Sequence, residues 1–234
     1  MIRSMRVTLT TALLQAAAWV AVAGAAMPAA AGELQFYVTS PDGQPAPDTV
    51  VMVLPVGGAP APLPPATPVE VVQRNIRFEP YVTAVPLGAT IRFVNRDRFD
   101  HHVRSAPGGP LGSIAPAQQF EFRLAAARGG NEPSVDLKMD APGATGLGCH
   151  LHGSMRAHVY VSPSPWVAVT NAAGRVVISG VPDGAADLRL WHPDQLVAQP
   201  NVRVTLVGAG TSGNAQLNFT PRRRGAPRGD PYKY

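Results

Sequence analysis

Residues 148–162 read Gly-Cys-His-Leu-His-Gly-Ser-Met-Arg-Ala-His-Val-Tyr-Val-Ser. From Arg156 onward Ala157, Val159 and Val161 alternate with His158 and Tyr160, the period-two pattern of a β-strand with one apolar face. Immediately before it, Cys149, His152 and Met155 recur at every third position. A straight strand would send Cys149 and His152 to opposite faces. A loop between two strands can instead turn all three side chains inward.

Strand-like runs continue on both sides of that loop. Upstream they are Leu34–Val38, Val50–Leu54, Val69–Phe78, Tyr81–Val85, Thr90–Asn95, Gln119–Leu124 and Val135–Met139. In the Thr90–Asn95 run Ile91 and Phe93 alternate with Arg92 and Val94. Downstream they are Trp166–Thr170, Arg175–Ile178, Asp187–Trp191 and Asn201–Val207, punctuated by turn signals at residues 171–174, 182–184 and 192–194. Residues 57–68 (GGAPAPLPPATP) and 105–118 read as loops. With 25 Pro and 23 Gly in 234 residues, breakers are spread too evenly for a helical bundle. The expectation is an all-β chain: a Greek-key sandwich over residues 33–162, then a small β-sandwich module over 163–220. Residues 33–56 are equally able to complete the second module.

The ends carry different information. Residues 1–32 place Arg3 and Arg6 ahead of an apolar stretch from about Leu13 to Ala26, followed by Ala29-Ala30-Ala31. That order predicts a secretory signal peptide cleaved near Ala31, and hence export to the periplasm, with no membrane span in the mature chain. The net charge of +5 owes much to Arg222, Arg223, Arg224, Arg228 and Lys233 near the C-terminus. The middle of the chain is close to neutral, which argues against a nucleic-acid-binding body. Residues 221–234 read as a disordered basic tail. One Cys in the whole sequence rules out an internal disulfide framework and a four-cysteine zinc site.

In an oxidising compartment a lone thiol is buried and inert, paired with another chain, or bound to a metal. His152 and Met155 beside Cys149 favour the metal. A second imidazole stands in Asn95-Arg96-Asp97-Arg98-Phe99-Asp100-His101-His102-Val103, where His101 and His102 both compete for the role. A thiolate, two imidazoles and a thioether form the donor set of a trigonal copper site with a weak axial methionine. Structural zinc rarely takes methionine. His150, His158 and His192 read as surface or strand-edge residues, Trp191 as a core or edge aromatic, and Asp97 and Asp100 as part of a solvated turn.

The Cys149–Met155 segment resembles the Cys-x₂-His-x₂-Met loop of amicyanin-type cupredoxins, and Asn95–Val103 resembles the segment carrying their first histidine. The likeness covers roughly residues 70–162. It implies His101, Cys149, His152 and Met155 as ligands of one type 1 copper ion, with His102 standing where those proteins commonly have Asn. Residues 166–190 widen the likeness to plastocyanin-like proteins often labelled as methylamine-utilisation proteins, whose C-terminal part looks like a carboxypeptidase-regulatory or transthyretin-like module. The implied function is single-electron transfer in the periplasm by a monomer, not an enzyme. Its redox partners would be proteins such as a periplasmic dehydrogenase or a c-type cytochrome. His152 is expected at the point of exit, ringed by Leu151 and Leu147. Copper delivery, storage or sensing is the second expectation, and a structural β-protein the third.

Overall fold

In a computed structural model of the chain, residues 31–58, 64–112, 114–222 and 224 are described. Residues 1–30 of the expected signal segment 1–32 and most of the basic tail lie outside them. Among the described residues sixteen strands run in chain order. They are β1 (Ala31–Thr39), β2 (Val50–Pro55), β3 (Val69–Gln73), β4 (Phe78–Glu79), β5 (Val82–Pro86), β6 (Thr90–Asn95), β7 (His101–Ala106) and β8 (Glu121–Leu124). Then follow β9 (Ser134–Lys138), β10 (Gly143–Cys149), β11 (Arg156–Ser162), β12 (Val167–Val169), β13 (Arg175–Pro182), β14 (Gly184–Trp191), β15 (Val202–Leu206) and β16 (Thr211–Gln216). The all-β class expected from the sequence is what the chain adopts. No helix among the described residues is long and apolar enough to cross a membrane.

The strands form four sheets, ordered β4-β3-β6-β9, β5-β11-β10-β7-β8, β12-β2-β14-β15 and β13-β1-β16. Three apolar layers alternate with them. Between the first two sheets lie Ile91, Phe93, Val103, Leu147, Ala157, Val159 and Val161. Phe93 meets Phe122 edge-on there, with ring centroids 5.2 Å apart. Between the last two lie Leu34, Phe36, Val38, Val51, Val53, Val176, Ile178 and Leu188. A smaller middle layer of Val50, Met52, Val82 and Trp191, with Tyr81 and Tyr160 against it, joins the two sandwiches.

This layering corrects the expected boundary. β1 and β2 do not belong to the first sandwich: β1 pairs with β13 and β16, and β2 pairs with β12 and β14. The reason is legible in β2, where Val50 and Met52 face the middle layer while Val51 and Val53 face the far core. A strand apolar on both faces needs cover on both sides. Residues 31–55 thus complete the second sandwich, and residues 69–162 are inserted between its strands β2 and β12.

The same layering relocates residues expected at the surface. His158 and Tyr160 alternate with core residues as predicted, but their face of β11 lies against the other sandwich. His158 sits edge-on to Tyr81 and Trp191, with ring centroids at 5.2 and 6.1 Å. His192 is also buried. The start of the basic tail is docked rather than loose: Arg222 pairs with Asp194 at 3.2 Å. Arg224 pairs with Asp48 and lies 3.5 Å over the Tyr81 ring.

Candidate metal centre

The site sits at one end of the first sandwich, where β7 begins and β10 ends. Asn95 closes β6 and builds the connecting turn. Its side-chain amide donates to the carbonyls of Phe99 and Ala125, both at 2.7 Å, and its oxygen accepts the Asp97 N–H at 2.8 Å. Asp100 ties the turn to the next segment by accepting the Ala126 N–H at 2.8 Å and the Arg123 guanidinium at 2.6 Å. The turn delivers His101 to the first position of β7 with its ring fully buried.

Asp97 proves central, against the expectation of a solvated residue. It is buried, and its carboxylate accepts the N–H groups of Asn75 at 2.6 Å and Ile76 at 3.0 Å. The same carboxylate lies 2.9 Å from His101 Nε2. Asn75 and Ile76 have φ of 53° and 56°, so the carboxylate also holds a turn that these residues do not favour. That turn breaks the expected single strand 69–78 into β3 and β4. Burial opposes ionisation of Asp97, but His101 and the two N–H groups outweigh it and hold its pKa below the usual carboxylate range.

Cys149 is the last residue of β10, and its partner across the ladder is Val103 of β7. The strand reaches that position because Gly146 lets β7 pass closely: a β-carbon at Gly146 would stand 2.8 Å from the carbonyl oxygens of Ala106 and Pro107. Cys149 Sγ lies 3.6 Å from His101 Nδ1 and 3.6 Å from His152 Nδ1. His152 is half-buried in the turn that follows, and the Met155 N–H closes the turn on the His152 carbonyl at 3.0 Å. Met155 is buried in the same apolar cluster as Cys149.

Thus three of the four residues named for coordination, His101, Cys149 and His152, converge, with their ligand atoms within 4.8 Å of one another. His101 rather than His102 faces the sulfur. Leu151 is exposed beside His152 as expected, but Leu147 is buried in the core and takes no part in any surface ring.

The donor set passes a simple test of fit. A metal bonded to a thiolate at about 2.3 Å and to imidazole nitrogen at about 2.0 Å holds those donors about 3.5–3.7 Å apart at tetrahedral or trigonal angles. The observed sulfur–nitrogen separations of 3.6 Å meet that requirement without rearrangement. Electrostatics agree. Burial would push the Cys149 thiol up, but the His101 ring, the His102 N–H and the His152 ring and N–H bring its pKa down to about 6. Burial would lower His101, yet Asp97 and the Cys149 sulfur raise it to about 9. Metal-free protein at neutral pH therefore holds a thiolate against an imidazolium.

No family model and no curated protein matches the chain. Solved structures do match, with low overall superposition scores. A copper-containing nitrite reductase from Thermus scotoductus is 22% identical over 46% of this chain, with a TM-score of 0.35. The chain spans only 25% of that enzyme's length. The reduced Cu(I) form of an amicyanin point mutant is 18% identical, over 48% of this chain and 98% of its own, with a TM-score of 0.33. A purple cupredoxin from Nitrosopumilus maritimus is 17% identical, over 40% of this chain and 99% of its own, with a TM-score of 0.33. The solved neighbours are cupredoxins.

Two features escape the sequence reading. One is Asp97, whose signal was its placement four residues before His101. The other is Glu121, which joins the extra histidines beside the ligand loops, His102 and His150, in a second group of convergent donors.

Proposed function

We propose that the chain is a one-electron carrier of the periplasm that holds a single copper ion between His101, Cys149, His152 and Met155. The observation that carries this reading is the placement of His101 Nδ1 and His152 Nδ1 at 3.6 Å from one buried sulfur. Copper, when bound, supplies the interconversion of Cu(I) and Cu(II). The chain's own residues supply the rest. Asp97 accepts the proton kept on His101 Nε2, so metal binding would displace the Nδ1 proton of the imidazolium and Nδ1 would offer its lone pair to the ion beside Cys149. The His102 N–H supports the thiolate from the neighbouring strand. Cys149 and His101 sit on hydrogen-bonded strands, so the donor positions stay fixed whichever oxidation state is present. His152, half-buried beside exposed Leu151, offers the way out to a redox partner such as a c-type cytochrome or a periplasmic dehydrogenase.

An electron carrier is favoured over an enzyme because four side chains would fill the coordination positions of a bound ion, whereas catalytic metal sites keep one open. The export reading rests on the order of basic, apolar and small residues in 1–32. Copper delivery is the second reading, favoured by the exposed imidazole of His150 beside the centre. Reconstitution with Cu(II) tests the primary reading. One equivalent binds and gives an intense visible thiolate charge-transfer band, which Cys149→Ser abolishes. Folded wild-type protein that takes up no copper, or forms a colourless complex, overturns it. Transfer of the metal to an acceptor apoprotein, faster than electron exchange, would select delivery.

A further inference from the structure

β7 carries two donors, one on either face, and so does the segment formed by the last residue of β10 and the residue after it. Successive residues of a strand point to opposite sides. His101 and Cys149 therefore face the core, while His102 and His150 face outward at the same level. The His150 N–H donates to the His102 carbonyl at 2.9 Å, which fixes the two residues side by side. Their rings stack, with centroids 5.5 Å apart and planes at 22°. Glu121 comes from β8, the hydrogen-bonded neighbour of β7, and its Oε1 lies 2.8 Å from His102 Nε2.

A hydrogen bond explains the contact of His102 with Glu121. It does not explain why a second imidazole joins them. One ligand atom from each of the three residues lies within 4.8 Å of the other two. We propose that His102, Glu121 and His150 form a second metal site, for a borderline divalent cation of the Zn(II), Ni(II) or Cu(II) class, on the outer face of the sheet that carries the Cys149 centre.

The chemistry selects that class. Two imidazoles and one carboxylate suit late first-row divalent ions, while Mg(II) and Ca(II) require more oxygen donors. Nitrogen or oxygen ligands at about 2.0–2.1 Å in a tetrahedral site lie about 3.3–3.5 Å apart. Reaching that geometry needs His102 and Glu121 to separate slightly and His150 to approach. Glu121 and His150 are exposed and His102 half-buried, so rotation of side chains suffices. The backbones are already held by ladder hydrogen bonds, and little ordering cost remains to be met on binding. The fourth position faces solvent, open to water or to a donor from another molecule. The site goes beyond the electron-carrier reading and does not depend on it.

The test uses Ni(II) as probe on full-length Cys149→Ala protein, which lacks the thiolate of the inner centre. Calorimetry should show one Ni(II) bound per chain. His150→Ala and Glu121→Ala, each added to that background, should weaken binding by more than about tenfold. Mg(II) at the same concentration should give no heat. In NMR spectra the paramagnetic ion should broaden the His102 and His150 ring signals and spare those of His158 and His192. The absence of Ni(II) binding, unchanged affinity in the His150→Ala variant, or broadening centred on His101 and His152 would each overturn the proposal. Because the inner thiolate is gone, failure of copper to bind at Cys149 leaves this result intact, and the converse holds.

Discussion

Replacing Asp97 probes both the fold and the centre. Its carboxylate accepts three N–H groups, from Asn75, Ile76 and His101, with Oδ2 shared by the last two. In Asp97→Asn one of those oxygens becomes an NH₂ that faces a donor. At least one buried N–H then loses its partner, and the remaining bonds lose their charge assistance. Hydrogen bonds to charged groups contribute about 1.5–3 kcal/mol each. The expected loss is therefore about 2–4 kcal/mol for Asp97→Asn, and more for Asp97→Ala, which abandons all three. Denaturant unfolding of metal-free protein at pH 7 measures it. Protonation gives the sign of the pH dependence. The Asp97 contribution is present above about pH 4 and fades as pH falls, because the folded pKa lies below the unfolded value. The His101 contribution is complete below its unfolded pKa of about 6.5 and is lost as pH rises through about 9. Freed of Asp97, the His101 ring also loses its orientation, and copper affinity should fall by about 10–100-fold. If both variants unfold within about 0.5 kcal/mol of wild type and take up copper with unchanged affinity, the role assigned to Asp97 is wrong.

Two further perturbations test the second sandwich and the layer joining it to the first. Burial holds the His158 pKa down at about 4, so the unfolded chain binds the proton first as pH falls from about 6.5. His158 should contribute about 3 kcal/mol to the stability lost between pH 6.5 and 4, beside a contribution of the same sign from buried His192, and His158→Phe should reduce that slope in urea unfolding; an unchanged slope would refute it. Gly174 has φ +71°, and a β-carbon there would stand 2.5 Å from the Val38 carbonyl oxygen. Gly174→Ala should cost at least about 2 kcal/mol in thermal unfolding while leaving any visible copper band unchanged, since it lies in the far sandwich.

How much of this is legible in the sequence varies with the kind of signal. Thr90–Asn95 and Arg156–Ser162 can be read to the residue, because branched and aromatic side chains alternate cleanly there. β10 and β16 escape that reading: GATGLGC and TSGNAQ carry little apolar periodicity. β10 is held by its ladders to β7 and β11, and Gly146 is required by a close approach that no local pattern reveals. β7 escapes for another reason, since its first residues read as ligands rather than as sheet. The convergence of His101, Cys149 and His152 is inferable from residue type and spacing. The carboxylate behind His101 and the burial of His158 are not, because both depend on which face of a strand meets another layer.

The insertion of residues 69–162 between β2 and β12 has a mechanical consequence. Met52 of β2 stands opposite Val167 of β12, so the outgoing and returning chain leave one host sheet at adjacent points. A pair of stems resists swivelling in a way that a single tether does not, and the apolar seam of Val50, Met52, Val82 and Trp191 locks the hinge. The inserted unit is thus carried like a fixed lamp on a bracket: whatever grips the host also sets the direction in which His152 points. Docking can then be specified by a surface remote from the metal, without any contact near the donor atoms themselves.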